Sequence, residues 1–270
     1  MRAFWLCLLV LLCTARGAAS ESTADRAAQE RFTKATAALK QGSYQEAIDQ
    51  YELMADHGVL HPDLSYNRAL AYVLRAESNQ QQPGDLGRAA AALSELLLQR
   101  PDDAEAQEVL RLVREEIGRR RARQGAEQVN VSPSLTRAAV GLLAETTWAI
   151  LAALGSALLT IGIAFRFWAK HAGTRLAGGV LSLVGPVMLL TCGAFALGAR
   201  HFRTTSRPAV VVVEEARLLD AAGKPLAGST ASIVEGQQVF VVDEQSVRAK
   251  VEWGTVEGWV NRAQLQILKP

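Results

Sequence analysis

Two apolar runs, TTWAILAALGSALLTIGIAFRFW from Thr146 and LAGGVLSLVGPVMLLTCGAFALGA from Leu176, constrain this chain more than any other feature. Each supplies about the 20 apolar residues that a helix needs to cross a bilayer, and neither core carries a charge. The expected spans are 142–168 and 176–199, and the loop between them, 169–175, is so short that they form a hairpin. Trp148 and Trp168 lie near opposite ends of the first run, as an interfacial belt requires. Gly155, Gly162, Gly178, Gly179 and Gly185 let the two helices approach closely, and Pro186 can kink the second. Glu145 stands at an edge and no ionisable group sits deeper, so nothing suggests a transport path.

The N-terminus reads as a secretory signal over 1–20. Arg2 is the positive start, FWLCLLVLLC is apolar but too short to span comfortably, and the small residues of TARGAAS follow. Cleavage is expected after Ala19 or Ser20. Leu12 precedes Cys13 where a lipoprotein signal needs a small residue, which disfavours lipidation. Export of 21–136 leaves Arg166, Lys170 and Arg175 around a cytoplasmic loop and returns the chain outside after Ala199, at a bacterial inner membrane. Arg137, Arg200, Arg203 and Arg207 oppose this by the positive-inside rule, but long exported domains override local charge. Both soluble stretches then share the periplasmic side.

The stretch after the signal repeats itself. GSYQEAIDQYELM (42–54) and GDLGRAAAALSEL (84–96) align Gly42, Tyr44, Ala47, Ile48, Tyr51 and Met54 with Gly84, Leu86, Ala89, Ala90, Leu93 and Leu96. Upstream of each, Phe32, Ala35 and Leu39 recur as Tyr66, Ala69 and Val73 at a period of about 34 residues, so the extra residues fall in the polar turn RAESNQQQPG. These residues resemble the tetratricopeptide repeat (TPR) family. Ala35, Ala69, Ala47 and Ala89 would sit where helices approach, and Pro101 closes the second unit. The first unit departs from the pattern, with Val59 in the place of that proline. Ala106, Val109, Leu110, Val113 and Ile117 recur at helical spacing and predict a cap helix, completing an all-α domain over 21–124.

The TPR resemblance implies that partner proteins bind a concave face carrying Phe32, Thr36, Lys40, Tyr66, Asn67 and Leu70, although the aromatic members can equally pack between helices. Asn67 matches one position of the clamp that some TPR domains use for terminal carboxylates. Phe32 and Val109 occupy places where that clamp needs basic residues, so the clamp is not expected. Arg119, Arg120, Arg121 and Arg123 end the cap helix ahead of a linker at 125–141. They suit either a solvated helix end or contact with anionic headgroups or an acidic partner.

After the second run come AVVVVEEARLLD, IVEGQQVFVVDE, VRAKVEWG and TVEGWVNRAQLQIL, short strands separated by turns that predict a small all-β barrel over 208–270. Their succession resembles the bacterial SH3 family. Arg248 stands where family members often carry a tryptophan. Trp253 and Trp259 are the candidate peptide platform, with a core role the stronger expectation for Trp259.

Signal, TPR pair, membrane hairpin and terminal SH3-like barrel together resemble the TPR-containing, BatE-type family of the Bacteroides aerotolerance (Bat) operon. The most specific stretch is GDLGRAAAALSELLLQRPDDAEAQEVLRLV (84–113). That family is encoded beside von Willebrand A-domain membrane proteins and a MoxR-type ATPase. The resemblance therefore implies a membrane-anchored envelope scaffold that holds such partners, with a link to stress tolerance. The alternative is a cell-wall module whose barrel grips peptidoglycan peptides.

Enzymatic and cofactor chemistry are not expected. His57 and His61 could share a helix face, but Gly58 and Pro62 interrupt them and no third metal ligand is evident. GKPLAGS lacks the lysine position of a phosphate loop, and no Ser, His and Asp constellation appears. The net charge of +2 gives no bulk attraction for nucleic acid. The three cysteines, Cys7, Cys13 and Cys192, lie in apolar segments, so neither a disulfide framework nor a zinc spacing is available.

Overall fold

The structure is a computed structural model and describes residues 26–125, 134–168, 170–226 and 232–269. The expected signal peptide and part of the expected linker lie outside these residues.

Helices α1 (26–40), α2 (Tyr44–Asp56), α3 (Pro62–Glu77), α4 (Asp85–Gln99) and α5 (Ala104–Arg123) follow one another through short turns and pack as sequential neighbours. Local chemistry sets their starts. Pro62 stands in the first turn of α3, where its missing N–H costs nothing, and the His61 ring accepts from the Asp63 amide. Asp103 caps α5 by accepting from the Ala106 amide at 3.0 Å. Ala35, Ala47 and Ala89 are fully buried at the helix crossings, and Tyr51 and Leu93 fill the space beside them.

The interior of this array is partly ionic. Arg68 and Arg75, seven residues apart on α3, are each only 2% exposed. Arg68 pairs with Glu95 of α4 and lies 3.7 Å from Glu52 of α2. The Arg75 guanidinium meets both Asp85 oxygens and also donates to Gln45. Tyr72, between the two arginines, donates to Glu52 at 2.9 Å. A guanidinium withdrawn from water is tolerated when carboxylates neutralise it, and Glu95 and Asp85 on α4 do so here, which ties α4 to α3.

Helix α4 departs from the usual amphipathic pattern. A surface helix buries one stripe, yet α4 is buried from Asp85 to Leu96 with Arg88 alone partly exposed, and Ala89, Ala90, Ala91 and Ala92 are all fully inaccessible. The missing cover comes from the C-terminal part of the chain.

That part is a small antiparallel assembly. Strands β1 (Arg207–Val211), β4 (Gln238–Glu244), β5 (Arg248–Trp253), β6 (Val256–Asn261) and β7 (Leu265–Ile267) form a five-stranded sheet in the order β6-β5-β4-β1-β7, and β2 (Glu215–Arg217) pairs with β3 (Ser232–Val234). Side chains alternate across a strand, and the valine run of β1 uses both faces. Ala209 and Val211 enter the core of the β-module itself, with Val239, Val251, Trp253 and Val260. Val210 and Val212 enter the helical core, joined there by Val234 and Leu268. A strand buried on both sides reads as a continuous apolar run, which is what AVVVV is. The expected division into separate helical and β domains is thus crossed by a shared apolar cluster.

Between these two parts the chain makes α6 (Leu135–Val140), α7 (Glu145–Trp168) and α8 (Ala172–Thr205). Helices α7 and α8 are long and apolar enough to cross a membrane. They pack through small residues: a Cβ at Gly162 would fall 2.5 Å from the Ser182 amide nitrogen, and one at Gly185 would fall 2.6 Å from the Leu159 nitrogen. Helix α8 has 34 residues, more than the run 176–199, and Ser206 alone separates it from β1.

Candidate partner-binding surfaces and the seam

The α4–β1 seam is built on close backbone approach. Gly84, Gly87 and Ala90 recur at three-residue spacing on α4, which puts them on one face. A Cβ at Gly87 would lie 2.8 Å from the Val211 carbonyl oxygen, and one at Gly84 only 2.1 Å from that of Val212. Gly84 also has φ +84°, the left-handed region that glycine reaches without strain. Across this seam the Gly87 amide donates to Glu235 Oε1 at 2.7 Å. Glu235, in the turn between β3 and β4, thereby satisfies one of the orphan donors in the first turn of α4, and its charge faces the positive end of the helix. Burial nevertheless pushes its carboxyl above the ordinary carboxylate range. Further along, the Lys269 ammonium donates to the Ala55 carbonyl at 3.2 Å.

A polar cleft of about 710 Å³ opens beside Glu235, lined by Gln82, Asp85, Glu116, Arg120, Arg121 and Glu214 among others. The arginines that end α5 are partly committed here. Arg120 donates to Glu116 and to the Ala76 carbonyl, and Arg121 reaches toward the Glu214 carbonyl. The cleft carries carboxylates as well as guanidiniums, so it has no single sign of charge.

The residues expected on a partner-binding face are divided by the structure. Phe32 is half-buried against Tyr51, with ring centroids 5.9 Å apart, and Thr36 shares a 3.0 Å hydrogen bond with the Tyr51 hydroxyl. Lys40 is exposed and Leu70 is 37% exposed. Tyr66 donates to Glu105 of α5 at 2.6 Å, and that bond, with burial, pushes its hydroxyl up to about 12. Asn67 turns its amide back onto the Asp63 carbonyl, four residues earlier. Phe32, Thr36 and Tyr66 thus hold helices together as well as facing outward, and Lys40 and Leu70 are the more available members.

In the β-module the two tryptophans exchange the roles expected of them. Trp253 is 4% exposed within the core, whereas Trp259 is only half-buried on β6 and its backbone pairs with Leu219. The period-two alternation that buries Val251 also buries Trp253, which leaves it no face for a peptide. Arg248 stacks its guanidinium end near Gly223.

The two histidines have backbone partners: His57 Nδ1 lies 2.6 Å from the Leu53 carbonyl, and His61 caps α3. Among the described residues no group of three His, Cys, Asp or Glu side chains is placed to hold a metal ion. Sequence reasoning did not single out Gly87, Glu235, Arg68 or Arg75, and it weighed Arg137 only as a flanking charge. A signal existed for the first: the second repeat has Gly87 where the first has Gln45, and Ala90 where the first has Ile48.

Comparison with protein-family models, with curated proteins and with solved structures finds no significant match to the chain.

Proposed function

We propose that the chain is a membrane-anchored scaffold of the bacterial envelope, in which a TPR-like helical array presents a binding face and an SH3-like module braces it. One observation carries the reading. Among the described residues, the contacts that hold the β-module run mainly to α4, to the end of α5 and to the end of α2, and Lys40 and Leu70 on α1 and α3 are exposed apart from them. We place residues 26–125, 207–226 and 232–269 on one side of the membrane, which agrees with their shared apolar cluster and with two spans that return the chain to the side it left. The export signal read in the sequence makes that side the periplasm, with the short α7–α8 loop in the cytoplasm. The partners are envelope proteins of the A-domain, Bat-operon type, held at high local concentration by the shared membrane, with a role in stress tolerance.

Crosslinking and pull-down of the full chain from membranes tests this reading. A-domain proteins should be recovered, and Leu70→Asp should abolish their recovery while leaving the thermal stability of the chain unchanged. Recovery that survives Leu70→Asp and Lys40→Glu would exclude this face, and sedimentation with purified cell wall in place of protein capture would favour the peptidoglycan reading.

A further inference from the structure

Helix α6 and the turn after it present apolar side chains that the described residues leave uncovered: Leu135, Leu142 and Leu143 are 88%, 76% and 40% exposed. Apolar side chains this exposed, and this close in sequence, call for a partner. Their position names it. The segment runs directly into α7, and Trp148 on α7 donates its indole N–H to the Val140 carbonyl of α6 at 3.1 Å while stacking on Phe195 of α8, centroids 4.8 Å apart. Glu145 and Arg203, paired at 3.0 Å, mark where charge returns at this end of the hairpin. A Trp within one turn of an ion pair, at the end of an apolar helix, is a feature of a membrane–water boundary.

Arg137, two residues along α6 from Leu135 and so roughly on its other side, holds the soluble body. Arg137 extends over the Phe240 ring at 3.7 Å and the Phe202 ring at 4.6 Å, and pairs with Glu252 at 2.7 Å. Phe202 lies on α8, and Phe240 and Glu252 lie on β4 and β5. One side chain, 14% exposed, therefore ties the short helix to both the membrane hairpin and the β-module. A cation between aromatic faces and away from water is held more firmly than an exposed pair.

We propose that residues 135–143 are an interfacial anchor whose leucines enter the lipid headgroup–acyl boundary, while Arg137 on the same segment fixes the β-module against the membrane face. This rests on the reading that α7 and α8 span the bilayer. The segment thus sets how the scaffold stands on the membrane: the bilayer surface orients α6, Arg137 orients the β-module, and the α4 seam carries the helical array with it.

Single-cysteine versions of the full chain in lipid nanodiscs, on a Cys7→Ser, Cys13→Ser, Cys192→Ala background, separate the two readings. An environment-sensitive fluorophore is placed by Leu142→Cys, just before α7, or by Leu154→Cys, about 13 Å along α7 from its start at Glu145. Nitroxide lipids carry the quencher either near the headgroup or near the acyl-chain end. The Leu142 probe should be quenched about threefold more by the shallow nitroxide, and the Leu154 probe more by the deep one. A Leu142 probe that neither nitroxide reaches, beside a Leu154 probe quenched by the deep one, overturns the anchor and leaves the spans intact. A Leu142 probe quenched more strongly by the deep nitroxide also overturns it, by assigning the residue to the span. Failure at both positions removes the spanning reading itself. For Arg137, energy transfer from a Val247→Cys probe to headgroup-labelled lipid should fall in Arg137→Ala and recover in part in Arg137→Lys; unchanged transfer in Arg137→Ala overturns its positioning role.

Discussion

Gly87 and Glu235, 148 residues apart, meet in a 2.7 Å hydrogen bond that joins the first turn of α4 to the turn between β3 and β4. The bond is possible because Gly87 has no side chain. Backbone of the β-module occupies the volume where a Cβ would be.

Gly87→Val therefore forces the seam apart. Overpacking of a tight contact costs about 1–3 kcal/mol, and the shared core loses part of its cover as well. Denaturant unfolding should show the loss and faster hydrogen exchange in β1.

The seam also responds to pH through Glu235. Burial raises its folded-state affinity for a proton above that of the unfolded chain, where a glutamate titrates near about 4.3. The native state then binds more protons than the unfolded state, so this group's contribution to stability falls as pH rises from that unfolded value through the raised folded one. Glu214 and Asp85 work in the same direction as burial, and the Gly87 hydrogen bond and Arg120 oppose them without reversing the shift. Glu235→Gln keeps an acceptor for the Gly87 amide and removes the charge. Melting curves should coincide with the parent at acid pH, with the glutamine variant gaining relative stability toward neutrality.

Breaking the buried ion pairs should cost more than removing them. Glu95→Ala leaves the Arg68 guanidinium buried with one fewer carboxylate, a loss of about 3–5 kcal/mol. Arg68→Met with Glu95→Leu should recover much of this, and a double-mutant cycle by urea unfolding measures the difference.

In the hairpin, Gly162→Leu drives a side chain into the backbone of α8 near Ser182. Helix separation should appear as a lower melting temperature in detergent and faster proteolysis at the α7–α8 connection. Gly193→Leu, where nothing lies within 4 Å, is the matched control.

How much of this was legible in the sequence depends on the range of the interaction. The hairpin was, because a bilayer demands a long apolar run whatever else the chain does. The helical array was too, because the spacing of Ala47, Tyr51, Ala89 and Leu93 is a local period. The seam was not: its chemistry lies in pairs such as Gly87 with Glu235 and Ala55 with Lys269, which no local period links. The tryptophans show a different limit. Alternation places Trp253 and Val251 on one face of β5, but which face is the core depends on how the sheet folds over β2, β3 and the 218–226 loop, and Trp259 pairs with that loop rather than entering the core.

The most direct measurement concerns whether the helical array is held by the β-module rather than merely tethered to it. A protease site inserted within residues 126–133 cuts the covalent path from the array to the membrane hairpin. After cleavage in membranes, the fragment carrying 26–125 should sediment with the membrane even in high salt, and Gly87→Val should release it. Release of the fragment from the unsubstituted chain into the soluble fraction would contradict the shared core on which the scaffold depends.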